Sequence, residues 1–198
     1  SLPDTPPEQD AIPLREEPWH IIGEALDTYI IVEEKDAVLF IDKHAAHERI
    51  LFEKLKKQNA PVMSQLLLAP IPAPLSREEA AAVLENAALL EQYGFGVEDF
   101  GDGTVLLRRV PADIAPEDAG AGLAELAGHL LEGRTLAPES LRDELLHTVA
   151  CKAAIKAGYH TQPREREALV REVLTRDDLK YCPHGRPICI TLTQKQLE

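Results

Sequence analysis

The residues best able to do chemistry crowd into Asp42–Glu53, D-K-H-A-A-H-E-R-I-L-F-E, where Asp42, His44, His47, Glu48 and Glu53 can each bind a metal ion or move a proton. The stretch follows the apolar run Ala37–Ile41, which reads as a strand. From Lys43 the chain is expected to turn helical, and His44 and Glu48, four apart, then share one helix face. Asp42 stands at the helix start, where its carboxylate can cap the first turn. One helix thus offers an imidazole and a carboxylate side by side. The same residues also fit an exposed amphipathic helix, with Ile50 and Leu51 packed inward and the charges solvated. Two distant segments favour the metal reading: Ala150-Cys151-Lys152 and Cys182-Pro183-His184-Gly185-Arg186-Pro187 bring the thiols and imidazole that a borderline cation such as zinc prefers.

For these groups to meet, the segments before residue 70 and after residue 135 must come together. Strands are predicted at 20–26, 28–33 and 37–41, then the helix from Lys43 to about Gln58, stopped by Asn59-Ala60-Pro61. The prolines at 70, 72 and 74 keep Gln65–Pro74 out of a central strand or helix, as an edge pairing or an exposed peptide. Ser76 and Glu79 form a capping box for a helix ending at Gly94, residues 95–100 and 104–110 make a hairpin, and a helix fills 116–131. A long helix from Pro138 to about Ala157, closed by Gly158, carries Cys151; another covers 163–175, and 188–192 is the last strand. The predicted fold is α+β: a discontinuous subdomain of residues 19–70 and 135–198 bears the metal site, and residues 71–134 are an inserted helix-hairpin-helix subdomain. Residues 1–18, with five prolines, are expected to be a linker to an upstream domain.

At 198 residues, 44% hydrophobic and 28% charged, the chain has the composition of one ordinary globular domain or two small ones. It contains no apolar run long enough for a membrane span and no signal-peptide pattern, so a cytoplasmic protein without membrane contact is expected. Three cysteines are too few for a disulfide framework, and Cys189, inside the apolar run Ile188–Ile190, reads as a core residue. The net charge of -13 repels phosphates on average, so any action on DNA would need help from elsewhere.

Taken together, the motifs resemble the C-terminal domain of the MutL family of DNA mismatch repair proteins, in the branch that carries an endonuclease. The family's D-Q-H-A-x-x-E-x-x-x-x-E appears as Asp42, Lys43, His44, Ala45, Glu48 and Glu53; A-C-[RK]-x-A-[IV]-[KR]-A appears as Ala150–Ala157; C-P-H-G-R-P stands intact as Cys182–Pro187. The sequence departs from the pattern at Lys43, where Gln is usual, and the family's terminal F-x-R motif is expected to lie beyond these 198 residues, removed by truncation. The resemblance implies a latent, metal-dependent endonuclease that nicks one DNA strand, with 71–134 as a regulatory subdomain. It implies Asp42, His44 and Glu48 as catalytic residues, and His44, Glu48, Cys151, Cys182 and His184 as metal ligands. Zinc would be regulatory or structural, and Asp42, a hard oxygen donor, would serve a catalytic Mn²⁺ or Mg²⁺. Gln65, Leu67, Leu68 and Pro70 fit the family's Q-x-[LI]-[LI]-x-P peptide for the DNA polymerase sliding clamp. The implied partners are a second copy of the chain through the strands of residues 19–42, the clamp, DNA held weakly, and the mismatch-recognition protein MutS through the full-length protein, at the nucleoid when active.

Other readings of the same residues stay open. Asp42 fits a simple N-cap, His47 a solvated surface residue, and His147, one turn before Cys151, a packing residue or a support for the ligands. Arg186 suits a phosphate or a nearby carboxylate. A non-catalytic, zinc-stabilised dimerisation and docking domain would use the same fold and ligands. A zinc peptidase is prompted by His44, His47 and Glu48, but its motifs set two His four apart with Glu beside one of them, whereas this pair is three apart with Glu48 after both.

Overall fold

Burial alternates along the second and third strands, so the sheet they build has one covered face. The computed structural model describes residues 18–58, 60–133, 137–154, 161–182 and 185–198. The expected linker, apart from Pro18, and the expectations placed on Gly158 and His184 lie outside the described residues. Strands β1 (Trp19–Ala25), β2 (Tyr29–Glu34) and β3 (Ala37–Asp42) form an antiparallel meander. β7 (Cys189–Thr193) then pairs antiparallel with β3, Phe40 opposite Ile190, so the sheet order is β1-β2-β3-β7. Early and late segments of the chain therefore meet in one sheet. Its inner face, Ile30, Val32, Leu39 and Ile41, packs with Trp19 on Ala46 of helix α1 (Lys43–Lys57) and on Leu169, Val170 and Val173 of helix α6 (Pro163–Thr175). The alternate positions form an outer apolar face: Ile22 and Ile190 are 56% and 51% exposed, with Ile31, Val38, Phe40 and Leu192 half-buried.

A second sheet, order β4-β6-β5, is built from β4 (Ser64–Ala73), β5 (Gly96–Gly101) and β6 (Thr104–Pro111). It packs with helices α2 (Arg77–Glu85), α3 (Ala87–Gln92), α4 (Pro116–Glu132) and α5 (Pro138–Ala153) around Phe95, Val105, Leu107, Leu123, Leu126, Leu145 and Val149. Gly122 is buried where α4 meets α5, and a Cβ there would make ordinary contact with Lys152 Cγ, 3.5 Å away. Phe52 of α1 belongs to this second core and Ala46 to the first, so α1 spans the two. The helix-hairpin-helix segment shares its core with β4 and α5, and β4 crosses the boundary expected at residue 70.

The single helix expected over 76–94 is two, because Asn86 turns its side-chain amide back onto the carbonyl of Ala82 at 2.8 Å and leaves helical geometry (φ -108°, ψ 19°). The Ser76–Glu79 capping box forms as expected, and Gly94 (φ +86°) ends the second helix in the left-handed conformation. After a short 3-10 turn at Asp177–Leu179, a four-residue helix α7 (Gln194–Leu197) follows β7.

Candidate metal centre

The start of α1 is fixed from three sides. Asp42 Oδ1 accepts from the backbone N–H groups of His44 and Ala45, both at 3.0 Å, which is the cap the sequence allows. The Asp42 N–H donates to the Ile188 carbonyl at 2.9 Å, and the Lys43 N–H to the Thr28 carbonyl at 3.0 Å. The Lys43 side chain is wholly buried, its Nζ 3.6 Å from Glu24 Oε1, and Arg166 of α6 reaches the other oxygen of Glu24 at 3.6 Å. Replacement of the family's usual Gln thus places a cation beneath the helix start, ion-paired to a carboxylate on β1.

One turn along α1, Glu48 is buried and shared. Its Oε2 lies 3.6 Å from His44 Nε2 and its Oε1 2.7 Å from His147 Nε2, which projects from α5. The hydrogen bond to Glu48 raises the His147 imidazole above its ordinary pKa, against the opposing effect of burial. His147 also meets Phe52 edge-on, the ring centroids 6.2 Å apart. Cys151 follows one turn later on α5. Burial, and after it the charge of Glu48, pushes the Cys151 thiol up. Cys182 sits buried in a tight loop: its N–H donates to the Arg186 carbonyl at 2.8 Å and its carbonyl accepts from Gly185 at 2.9 Å. Gly185 adopts φ +80°, the left-handed conformation that this turn requires.

These segments enclose one open hollow of ≈ 470 Å³, lined by Asp42, His44, Glu48, Cys151, Cys182 and Arg186 with apolar Phe40 and Ile190 at the sheet side. The structure therefore brings together Asp42, His44, Glu48, Cys151 and Cys182. Among the described residues no three His, Cys, Asp or Glu side chains form a metal-binding group, and His184 lies outside them. The donor chemistry nevertheless suits a borderline cation: two thiols, an imidazole and two carboxylates line one space.

Sequence reading allowed His147 its supporting role and undervalued His47. His147 supports Glu48 directly, and its four-residue spacing to Cys151, matching that of His44 to Glu48, is the signal that points to it. His47, expected in solvent, is half-buried in a different hollow with Ile50, Leu51, Thr161 and Leu169, and burial lowers its pKa. It lines a hollow other than the one lined by His44 and Glu48, which gives the peptidase reading no support.

The clamp-peptide residues sit on the edge strand β4. Leu66 faces Arg109 and Ile71 faces Leu107, so Leu67–Pro70 bulge opposite Arg108 alone. Leu68 is fully exposed and Leu66 is 70% exposed, whereas Leu67 packs against the second core. Gln65 donates to the Ile114 carbonyl at 3.2 Å. No helix of the described residues is long and apolar enough to cross a membrane.

The family model of the MutL C-terminal dimerisation domain matches residues 22–161. The chain is similar to the DNA mismatch repair protein MutL of Clostridium botulinum (strain Langeland), 34% identical over 180 residues that cover 90% of this chain and 27% of that protein. The DNA mismatch repair protein MutL of Caldanaerobacter subterraneus subsp. tengcongensis is 36% identical over 178 residues, 90% of this chain and 30% of its own length. That of Geotalea daltonii is 34% identical over 207 residues, covering 100% of this chain and 35% of its own length. The chain spans about a third of the length of the curated relatives it matches.

Proposed function

The chain belongs to the family of MutL C-terminal dimerisation domains, and from that membership we propose that it is a metal-dependent, strand-nicking endonuclease module of DNA mismatch repair. In this reading it also pairs with a second copy of itself and docks on the DNA sliding clamp. The observation that carries the reading is the convergence of Asp42, His44, Glu48, Cys151 and Cys182 on one open hollow, from three segments distant in sequence.

Glu48, Cys151 and Cys182, with His184, would hold zinc, and His44 completes this set or that of a second ion. Asp42, a hard oxygen donor in the wall of the hollow, would hold Mn²⁺ or Mg²⁺, since its capping role engages Oδ1. A bound divalent cation supplies charge stabilisation for the phosphoryl oxygens and lowers the pKa of an attacking water. The protein's own work is positioning. The backbone bond of Asp42 to Ile188 ties the helix start to the β7 side of the hollow, and His147 holds one oxygen of buried Glu48.

Dimerisation is assigned to the outer face of the first sheet, where Ile22, Ile31, Val38, Phe40, Ile190 and Leu192 form a continuous apolar strip. Clamp docking is assigned to the β4 bulge, where an exposed leucine stands on an open sheet edge. Contact with MutS is assigned to the longer protein of which such a domain is part.

A second reading, a zinc-stabilised dimerisation and docking domain without catalysis, is favoured by one observation: Asp42 already serves as the helix cap. Metal analysis of the purified chain together with plasmid nicking in Mn²⁺ separates the two. Bound zinc with nicking supports the enzyme, and bound zinc without nicking leaves the docking domain.

A further inference from the structure

The hollow poses an electrostatic problem for the substrate proposed above. It is lined by two carboxylates and two thiols in a chain of net charge -13, and a phosphodiester is itself an anion. Among the described residues that line it, Arg186 is the single Lys or Arg.

Four other arginines of the protein are held by carboxylates. Arg49 pairs with Glu53 at 2.8 Å, Arg166 with Glu24 at 3.6 Å, Arg176 with Asp178 at 2.7 Å, and Arg108 with Glu98. Arg186 is exposed, and among the described residues no carboxylate lies within ion-pair distance of it. Its backbone is nonetheless fixed. The Arg186 carbonyl accepts from Cys182 at 2.8 Å, Tyr181 and Pro187 form a bridge on either side, and Ile188 N–H donates to the Lys180 carbonyl at 3.1 Å. A backbone held at residues 181, 182, 187 and 188 therefore presents, in the lining of an acidic hollow, a permanently charged planar fork with five donors and no internal acceptor. That fork matches the oxygens of a phosphate.

Resting on the endonuclease reading, we propose that Arg186 is the phosphate-binding residue of this site, holding the non-bridging oxygens of a DNA phosphodiester at the mouth of the hollow. Asp42 lies in the wall of the same hollow, so a backbone held by Arg186 is presented to the carboxylate assigned to the catalytic ion.

The test measures binding of a fluorescein-labelled DNA duplex by the full chain, by anisotropy, over a series of low salt concentrations with zinc present and Mn²⁺ and Mg²⁺ omitted so that no strand is cut. One phosphate contact contributes about 0.9 to the slope of log affinity against log salt. Arg186→Gln is expected to weaken binding several-fold at the lowest salt and to lower that slope by about 0.9, with melting temperature and bound zinc unchanged. Arg186→Lys keeps the charge and should keep the slope. Arg164→Gln removes the same charge from the exposed surface of α6 and should change neither quantity. An unchanged slope in Arg186→Gln, an equal fall in Arg164→Gln, or no measurable binding by the wild-type chain at the lowest salt overturns the proposal. Absence of nicking by the wild-type chain in Mn²⁺, with the slope difference intact, counts against the endonuclease reading and leaves the phosphate contact standing.

Discussion

His147 Nε2 on α5 lies 2.7 Å from Glu48 Oε1 on α1, and this one hydrogen bond joins two helices that each carry proposed metal donors, His44 and Glu48 on one, Cys151 on the other. The carboxylate is buried, so the imidazole satisfies an oxygen that water would otherwise have to reach. His147→Ala should therefore destabilise the chain by roughly 1–3 kcal/mol, the cost of leaving a buried polar group short of a partner. Because the bond orients a proposed ligand, zinc affinity should fall roughly 10–100-fold without being abolished. Competition against a chelator, followed alongside thermal melting, checks both. Wild-type zinc affinity in His147→Ala would show that the imidazole only packs.

Asp42 caps α1 and is assigned the catalytic ion, and two substitutions separate the two roles. Asn caps a helix about as well as Asp, so Asp42→Asn should leave the melting temperature and bound zinc close to wild type while abolishing nicking, since a hard divalent ion needs the charge. Asp42→Ala should in addition cost about 1 kcal/mol through the lost cap. Nicking by Asp42→Asn at the wild-type rate would remove Asp42 from the catalytic set.

Much of this arrangement is written in local sequence, and the rest is not. The Asp42 cap, the Ser76–Glu79 box, the left-handed Gly94 and the alternation of Ile30, Val32, Leu39 and Ile41 are short-range effects, so strand and helix positions follow from residues a few places apart. The approach of residues 42, 151 and 182 was legible only because the donor types demanded one another. What escaped depends on tertiary neighbours. Nothing beside Lys43 announces that its partner is Glu24 on β1, nothing beside His47 that α6 will cover it, and nothing near Leu67 that it faces inward while Leu66 and Leu68 face out. The break at Asn86 is local, but a side chain returning to the carbonyl four residues back competes closely with helix continuation, and pattern alone does not decide it.

Cys182→Ser should lower bound zinc and also destabilise the chain, because a filled site would tie the Cys182 loop to α1 and α5 across a long stretch of sequence. Elemental analysis and melting in the presence and absence of a chelator give the readout. Equal zinc in variant and wild type would exclude Cys182 as a ligand.

The outer face of the first sheet can be made polar without unmaking the sheet. Val38 and Leu192 are cross-strand partners on that face. Val38→Lys with Leu192→Glu sets opposite charges opposite one another, an arrangement that supports the pairing, while breaking the apolar strip. The expected result is a folded monomer by light scattering at tens of micromolar, where the wild-type chain is expected to be a dimer. A double variant that stays dimeric places the interface elsewhere.

The clamp peptide yields the prediction that depends most on the structure. Sequence alone treats Leu67 and Leu68 alike, yet Leu67 packs into the second core and Leu68 stands free of it in the β4 bulge. Leu67→Ala therefore loses packing as well as any clamp contact, at a cost below the roughly 2–5 kcal/mol of a fully buried leucine, and its effect on clamp function is ambiguous. Leu68→Ser removes apolar surface that nothing in the chain covers, so its melting temperature should equal wild type. With a net charge of -13 the domain is expected to hold DNA weakly, and a DNA-encircling clamp would raise local concentration to roughly millimolar without any new DNA contact. Leu68→Ser in the full-length protein should thus abolish the stimulation of nicking by the clamp and leave the slow basal rate intact, because Leu68 lies on β4 and outside the hollow. Stimulation that survives Leu68→Ser, measured as nicked plasmid with and without clamp loaded on the DNA, would falsify the assignment of this bulge.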